Sequence, residues 1–199
     1  MPAAAQEEKR RLIMEAAVRA FARKGYHACR VGEIAEEAGV AYGLVYHYFG
    51  SKEEVLESIF RDTWTQMIAR IKEVAESGEP ANEQVRKVTA LLLRTWRRDP
   101  DLVRVLVREV TRSPEQMRRQ IDEIGHAYNA LQEIIANGQR SGEFRDDLDS
   151  EIAATIFYGA LEEVLTAWVM GQLPDGDEDI AKAEQDVTGL LCDGLAKRA

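Results

Sequence analysis

Apolar residues recur at steps of three and four along nearly the whole chain, and this period predicts helices almost throughout. A first helix runs from about Glu7 to Lys24, with Leu12, Ile13, Ala16, Ala17, Ala20 and Phe21 on one stripe, and Gly25 stops it. The start, "MPAAAQEEKRR", lacks the apolar middle region of a secretory signal and reads as a loose tail. A short second helix buries Val31, Ile34, Ala35 and Ala38 and ends at Gly39. A third begins near Ala41 and closes before Gly50. Ser51 followed by Glu54 has the spacing of a capping box, and it opens a long fourth helix over 51–76. Beyond Pro80, five further helices are expected over about 82–98, 100–112, 114–140, 149–171 and 178–197. No stretch alternates with the period of a strand. The fold class is therefore all-α with about nine helices. A three-helix head, residues 1–50, precedes a larger helical body, residues 51–199, and helix 51–76 links the two.

The segment "AYGLVYHYFG", residues 41–50, breaks the ordinary amphipathic pattern. Placed on a helix, Ala41, Val45, Tyr48 and Phe49 share a dry side. Tyr42, Gly43, Tyr46 and His47 share the other, a compact face of hydroxyl, imidazole and bare backbone. A helix, a turn at Gly39 and a short helix with such a face match a helix-turn-helix, whose second helix enters the major groove of DNA. Hydroxyls and imidazole reach phosphate oxygens, and a tyrosine ring meets base edges or a thymine methyl.

Charge sharpens this picture. The 199 residues carry a net charge of −9, which alone argues against a polyanionic partner. Residues 1–31, however, hold seven Lys/Arg against three Glu, the only basic segment of the chain. A nucleic acid would meet the head. Composition is otherwise that of an ordinary globular protein, 45% hydrophobic and 31% charged. No run of about 18 apolar residues suggests a membrane span. Cys29 and Cys192, far apart in sequence, read as free thiols in a reducing cytoplasm. His27, His47 and His126 have no metal-ligand spacing, and there is no phosphate loop or nucleophile motif. Glu162 and Glu163, adjacent on a helix, point about 100° apart and do not converge as a catalytic pair. An enzyme is not expected, and no cofactor or metal is implied.

The head closely resembles the TetR family of bacterial transcriptional regulators through "LIMEAAVRAFARKGY", "IAEEAGV" and "GLVYHYFGSKEEVL". The resemblance implies a dimeric DNA-binding repressor whose C-terminal helices bind a small effector. It assigns DNA contacts to Tyr42, Gly43, Leu44, Tyr46, His47 and Lys52. Two positions depart from the family: Arg30 and Ala41 stand where small hydroxyl residues often cap the second and third helices. Arg30 is expected to exchange a hydroxyl–phosphate contact for a longer charged one. Its helix then lacks a side-chain cap worth about 1 kcal/mol unless another group fills it. A cation at Lys52 opposes the dipole of helix four, a conflict that a bound phosphate would relieve.

In the body, "SEIAATIFYGALEEVLTAWVMGQ" is apolar on nearly all sides and is expected to be buried all round. With the last helix it is expected to form a four-helix interface between two copies, using Trp168, Val187, Leu191 and Leu195. The body is also similar to the FadR-type regulators of fatty-acid degradation, through "GYH" at 25–27, "SGEF" at 141–144 and "IFYGALEEVLTAWVM" at 156–170. That similarity implies a long-chain acyl-CoA effector, which releases the repressor from a partly palindromic operator. Another hydrophobic ligand, an aromatic compound or a drug, is the alternative. Trp96, Tyr128, Phe157 and Leu161 are candidates to line an acyl tunnel. Arg104 and Arg108, with Arg112, Arg118 and Arg119, are candidates for the CoA phosphates.

Overall fold

The computed structural model describes residues 3–110 and 114–196, apart from the side chains of 3, 4, 110, 114–124 and 126. Arg112, Arg118, Arg119 and the side chain of His126 thus lie outside the described residues. Within these limits the chain forms nine helices. By packing it divides into two compact units, Met1–Thr63 with Asp101–Pro114, and Trp64–Pro100 with Glu115–Ala199.

The first unit begins with α1 (Ala3–Lys24), which starts four residues before the expected Glu7. The supposed tail is helical for local reasons. Alanine has the highest helix propensity, and Arg11 pairs with Glu8 at 2.8 Å and Glu15 at 2.5 Å, three and four residues away. α2 (Val31–Glu37) and α3 (Tyr42–Phe49) follow. Gly39, at φ 64°, turns the chain between them, and the Val40 N–H returns to the Ala35 carbonyl at 3.0 Å. Ile13, Ala16, Ala17, Phe21, Ile34, Val45 and Phe49 are almost fully buried and form the core, joined by Leu56 and Phe60 of α4 (Lys52–Ala75). Each large side chain among them contributes about 1.5–3 kcal/mol by leaving water. Ala41 was expected on this dry side but is exposed as the N-cap of α3, and Tyr48 is only half-buried. Ser51 Oγ accepts the Glu54 N–H at 3.1 Å, which caps α4 as expected. The unit also includes α6 (Pro100–Val110), apart from its first residue.

The second unit comprises the rest of α4 with α5 (Ala81–Arg98), α7 (Pro114–Ser141), α8 (Ser150–Val169) and α9 (Asp177–Leu195). Helix α5 packs on α9 and α8. Val85, Val88, Leu93, Leu131, Ile134, Ile135, Phe157 and Leu161 fill the core. The "SGEF" turn has a structural task. Pro80 gives α5 no side-chain cap, and the Glu143 carboxylate supplies one by accepting from the N–H groups of Ala81 at 3.1 Å and Asn82 at 3.4 Å. Phe144 lies so close over Gly138 that a Cβ there would stand 2.3 Å from its ring. Asp149 caps α8, its Oδ1 accepting from Glu151 and Ile152 at 2.9 and 3.0 Å.

Helix α8 is not buried all round. Ile152 and Ile156 are 62% and 60% exposed, and Leu190 on α9 is 77% exposed. Within the chain, α8 is covered on the side of Ala154, Phe157 and Leu161 and toward its end at Ala167, Trp168 and Val169. By length and composition alone, α8 is long and apolar enough to cross a membrane. Its packing against α5 and α9 gives it a place in the helical core of this unit.

Candidate nucleic-acid interface and effector site

Helix α3 holds Val45 and Phe49 in the core of the first unit and turns its polar aromatics outward. Tyr42 is 56% and Tyr46 41% exposed, Gly43 and His47 are exposed, and Leu44 is half-buried. The two tyrosine rings meet edge to face at 5.2 Å, and the Tyr42 hydroxyl donates to the Tyr46 hydroxyl at 3.2 Å. The neighbouring Tyr42 phenol, with some burial, holds the Tyr46 phenol above its ordinary range. Gly43 is informative because nothing within the protein requires it: a Cβ there would meet no atom within 4 Å. A glycine inside a helix costs about 1 kcal/mol relative to alanine, and here no packing inside the unit offsets that cost.

The basic charge of residues 1–31 looks different once folded. Arg10 pairs with Asp62 at 2.7 Å, Arg19 and Arg23 with Glu37 at 2.9 and 2.8 Å, and Lys24 with Glu33. Lys24 and the Arg30 N–H hold the Glu33 carboxylate below its usual range, and Arg23 and Arg19 do the same for Glu37. Much of the apparent excess is therefore matched by acids from later in the chain. These pairs are largely exposed and weak, so a phosphate can compete for their cations.

The N-cap of α2 has no side-chain cap, but Glu33 reaches back to it. Its carboxylate accepts the Arg30 N–H at 2.8 Å, half of a capping box, and the exposed Arg30 guanidinium takes no part. Lys52 is engaged within the unit too. Its ammonium donates to the carbonyls of Tyr26 at 2.8 Å and Cys29 at 2.9 Å, and lies 4.3 Å from the centre of the Tyr26 ring. The conflict with the α4 dipole is thus relieved by the α1–α2 turn, with one ammonium hydrogen left over.

The residues expected around an effector separate into groups. Arg104 and Arg108 belong to the first unit, where Arg104 pairs with Asp101 at 2.8 Å and Arg108 donates to the Ala22 carbonyl at 3.4 Å. Trp96 is buried in the second unit, stacked on Trp168 with ring centres 6.3 Å apart. Both indoles are occupied: Trp96 donates to Asp175 at 3.2 Å and Trp168 to the Pro174 carbonyl at 3.0 Å. Phe157 and Leu161 are fully buried on α8. Tyr128 of α7 is half-buried and meets Tyr158 of α8 at 4.9 Å. Of the interface candidates, Trp168 and Leu195 lie in the subunit's own core, and Val187 and Leu191 are half-buried.

Three residues that the sequence did not single out for this site stand beside Tyr128. Trp64 of α4 packs at 6.3 Å against Tyr158. Burial pushes the Tyr158 phenol far up and Tyr128 up, with the charge of Glu162 adding to both. Burial, and then Glu163, raises Glu162. The available signal was the spacing of Tyr158 and Glu162, one helical turn apart on an otherwise apolar helix.

Comparison with known proteins gives these sites a context. Residues 13–59 match the bacterial regulatory proteins of the tetR family, and residues 60–194 match the YsiA-like protein C-terminal region. The chain is 34% identical over 184 residues to the fatty acid metabolism regulator protein of Bacillus subtilis, covering 92% of this chain and 93% of the relative. Its fold is similar to that of the transcriptional regulator FadR from Bacillus subtilis in complex with stearoyl-CoA, with a TM-score of 0.81 and 32% identity over 92% of this chain and 98% of that one. It is likewise similar to the fatty acid degradation regulator FadR from Bacillus halodurans, with a TM-score of 0.84 and 31% identity over 96% and 97%. With both the head and the body matched, the chain belongs to the TetR family of bacterial transcriptional regulators.

Proposed function

We propose that this protein is a cytoplasmic, homodimeric repressor of fatty-acid degradation genes, and that a long-chain acyl-CoA releases it from a partly palindromic operator. In this reading residues 1–50 bind DNA and residues 51–199 bind the effector and the second copy. The observation that carries it is the likeness, over 92% of the chain, to a regulator whose structure holds stearoyl-CoA. The exposed face of α3 supports the DNA half. Tyr42, Leu44 and His47 meet bases or phosphates, Tyr46 and the free hydrogen of Lys52 meet phosphates, Gly43 admits the backbone, and Arg30 reaches a neighbouring phosphate. The aliphatic residues that α8 and α9 leave uncovered support a second copy. In such a dimer the two recognition helices lie about one helical turn of DNA apart, roughly 34–36 Å or a multiple, and the half-sites keep that phase.

An effector acts only by preferring the conformation that misfits DNA. Helix α4 is the natural carrier, because it holds Lys52 at the α1–α2 turn and Trp64, about three turns later, in the aromatic cluster. The test is a titration of the protein on an operator selected from random DNA, with butyryl-CoA and stearoyl-CoA in parallel. Release by the long chain and not the short one is expected. Inertness of both overturns the acyl-CoA assignment in favour of another hydrophobic ligand, and failure to select any DNA overturns the repressor reading.

A further inference from the structure

The protein has three tryptophans, and their indole N–H groups are not treated alike. Those of Trp96 and Trp168 each donate to an oxygen of the 174–175 loop. That of Trp64 is buried, yet no acceptor lies within hydrogen-bond reach among the described residues. A buried donor without a partner is costly, and such groups are rare in folded proteins unless they serve a ligand or a water. It lies in a polar aromatic cluster on three helices, with Tyr158 of α8 at 6.3 Å and Tyr128 of α7 at 4.9 Å from Tyr158. The three rings give the Trp64 donor an apolar wall with hydroxyl tips, surroundings that suit the junction between a hydrocarbon chain and its polar group.

The charge around the cluster decides what kind of acceptor it takes. Glu162 acts on both Tyr128 and Tyr158, and its effect disfavours further negative charge there. A carboxylate would meet that repulsion, and among the described residues no cation acts on these two tyrosines to offset it. A neutral carbonyl needs only a donor. We propose that the Trp64 indole N–H, beside Tyr158 and Tyr128, binds the carbonyl oxygen of an acyl thioester and so selects acyl-CoA over both the free fatty acid and a carbonyl-free chain. This assignment rests on the acyl-CoA reading above.

Binding of stearoyl-CoA, S-octadecyl-CoA (the thioether without the carbonyl) and stearate to the full-length protein, by calorimetry, tests it. Wild type is expected to prefer the thioester to the thioether about tenfold, the worth of one buried hydrogen bond, and to bind stearate more weakly than either. Trp64→Phe keeps the ring without the donor. It is expected to bind both CoA ligands alike, at the wild-type affinity for the thioether, and to lose the fluorescence change that thioester binding causes in wild type. A Trp64→Phe protein that keeps the tenfold preference overturns the proposal. So does a wild type that binds thioester and thioether equally, or stearate as tightly as stearoyl-CoA, and neither result depends on a variant. If neither CoA ligand binds wild type, the acyl-CoA reading itself falls and the carbonyl assignment with it. If both bind wild type equally, only the carbonyl assignment falls.

Discussion

Helices α3 and α8 are both apolar in composition, and both leave large side chains uncovered, but of different kinds. α3 exposes Tyr42, Tyr46 and His47 around a glycine that has no internal steric reason. α8 exposes Ile152 and Ile156, plain aliphatics with nothing to offer water or phosphate. The first surface keeps its polar tips hydrated until a hydrogen-bonding partner arrives. The second is stabilised only by removal from water. The same apolar richness therefore points to DNA in one place and to a second copy of this chain in the other.

The largest effect should come from placing charge on the aliphatic surface. Ile156→Glu or Leu190→Glu puts an unpaired carboxylate into the proposed dimer interface, a cost of several kcal/mol. Light scattering should show monomers that remain helical, and operator affinity should fall by about 100-fold or more as the two heads separate. Leu195→Glu differs in kind, because Leu195 is buried in its own subunit, and should unfold the chain. A dimeric Ile156→Glu protein would erase the proposed distinction between the two helices.

Gly43→Ala tests the other side of the comparison. The new methyl meets nothing in the subunit and removes the helix cost of glycine, so stability should rise by about 1 kcal/mol, some 2–4 °C in Tm. Operator affinity should fall by about tenfold, because the methyl stands where the DNA backbone approaches. A variant that is both more stable and equally tight would show that Gly43 is not at the contact. Tyr46→Phe should weaken binding several-fold on all sequences, and Tyr42→Ala should relax base preference.

The head was the more legible half, for a physical reason. A recognition helix is short, its exposed face is set by its own periodicity, and its glycine and tyrosines fall within seven residues. The number and order of the helices followed in the same way from local pattern and breakers. What the sequence did not show depends on distant partners. Trp96 and Trp64 both sit on helices of the second unit, and only the fold reveals that Asp175, 79 residues after Trp96, occupies one indole and leaves the other without an acceptor. That Arg108 lies beside the Ala22 carbonyl, 86 residues earlier, was likewise not legible in the sequence. Periodicity likewise marked α8 and α9 as apolar without revealing which side their own subunit covers. Trp168 and Leu195 thus turned out to be core, and Ile156 and Leu190 surface.

Lys52→Ala gives a smaller effect, because the residue has two tasks. Loss of the bonds to the Tyr26 and Cys29 carbonyls should lower Tm by about 2–4 °C. Loss of the remaining phosphate contact should weaken operator binding several-fold and reduce the salt slope by about one. A lower Tm with an unchanged salt slope would make Lys52 a clamp of the α1–α2 turn alone.

The smallest expected effect concerns the one acid that α8 brings to its aromatic cluster. Burial and the neighbouring Glu163 raise the Glu162 carboxyl above its ordinary range. A carboxyl raised in the folded state binds its proton more tightly there than in the unfolded chain. Its contribution to stability is therefore fully present below the ordinary carboxylate range and is lost as pH rises through the folded value. Glu162 is exposed, so solvent screens the effect and keeps it small. Glu162→Gln mimics the protonated form. It should raise Tm by roughly 1–2 °C at pH near 7.5, and the gain should vanish as the wild-type carboxyl takes up its proton on acidification toward pH ~4. The same substitution removes the charge that disfavours a second anion, so stearate should bind the variant more tightly than wild type while stearoyl-CoA changes little. Scanning calorimetry at the two pH values and the stearate titration check both halves. An equal gain in Tm at both pH values, with unchanged stearate binding, would mean that Glu162 does not face the cluster.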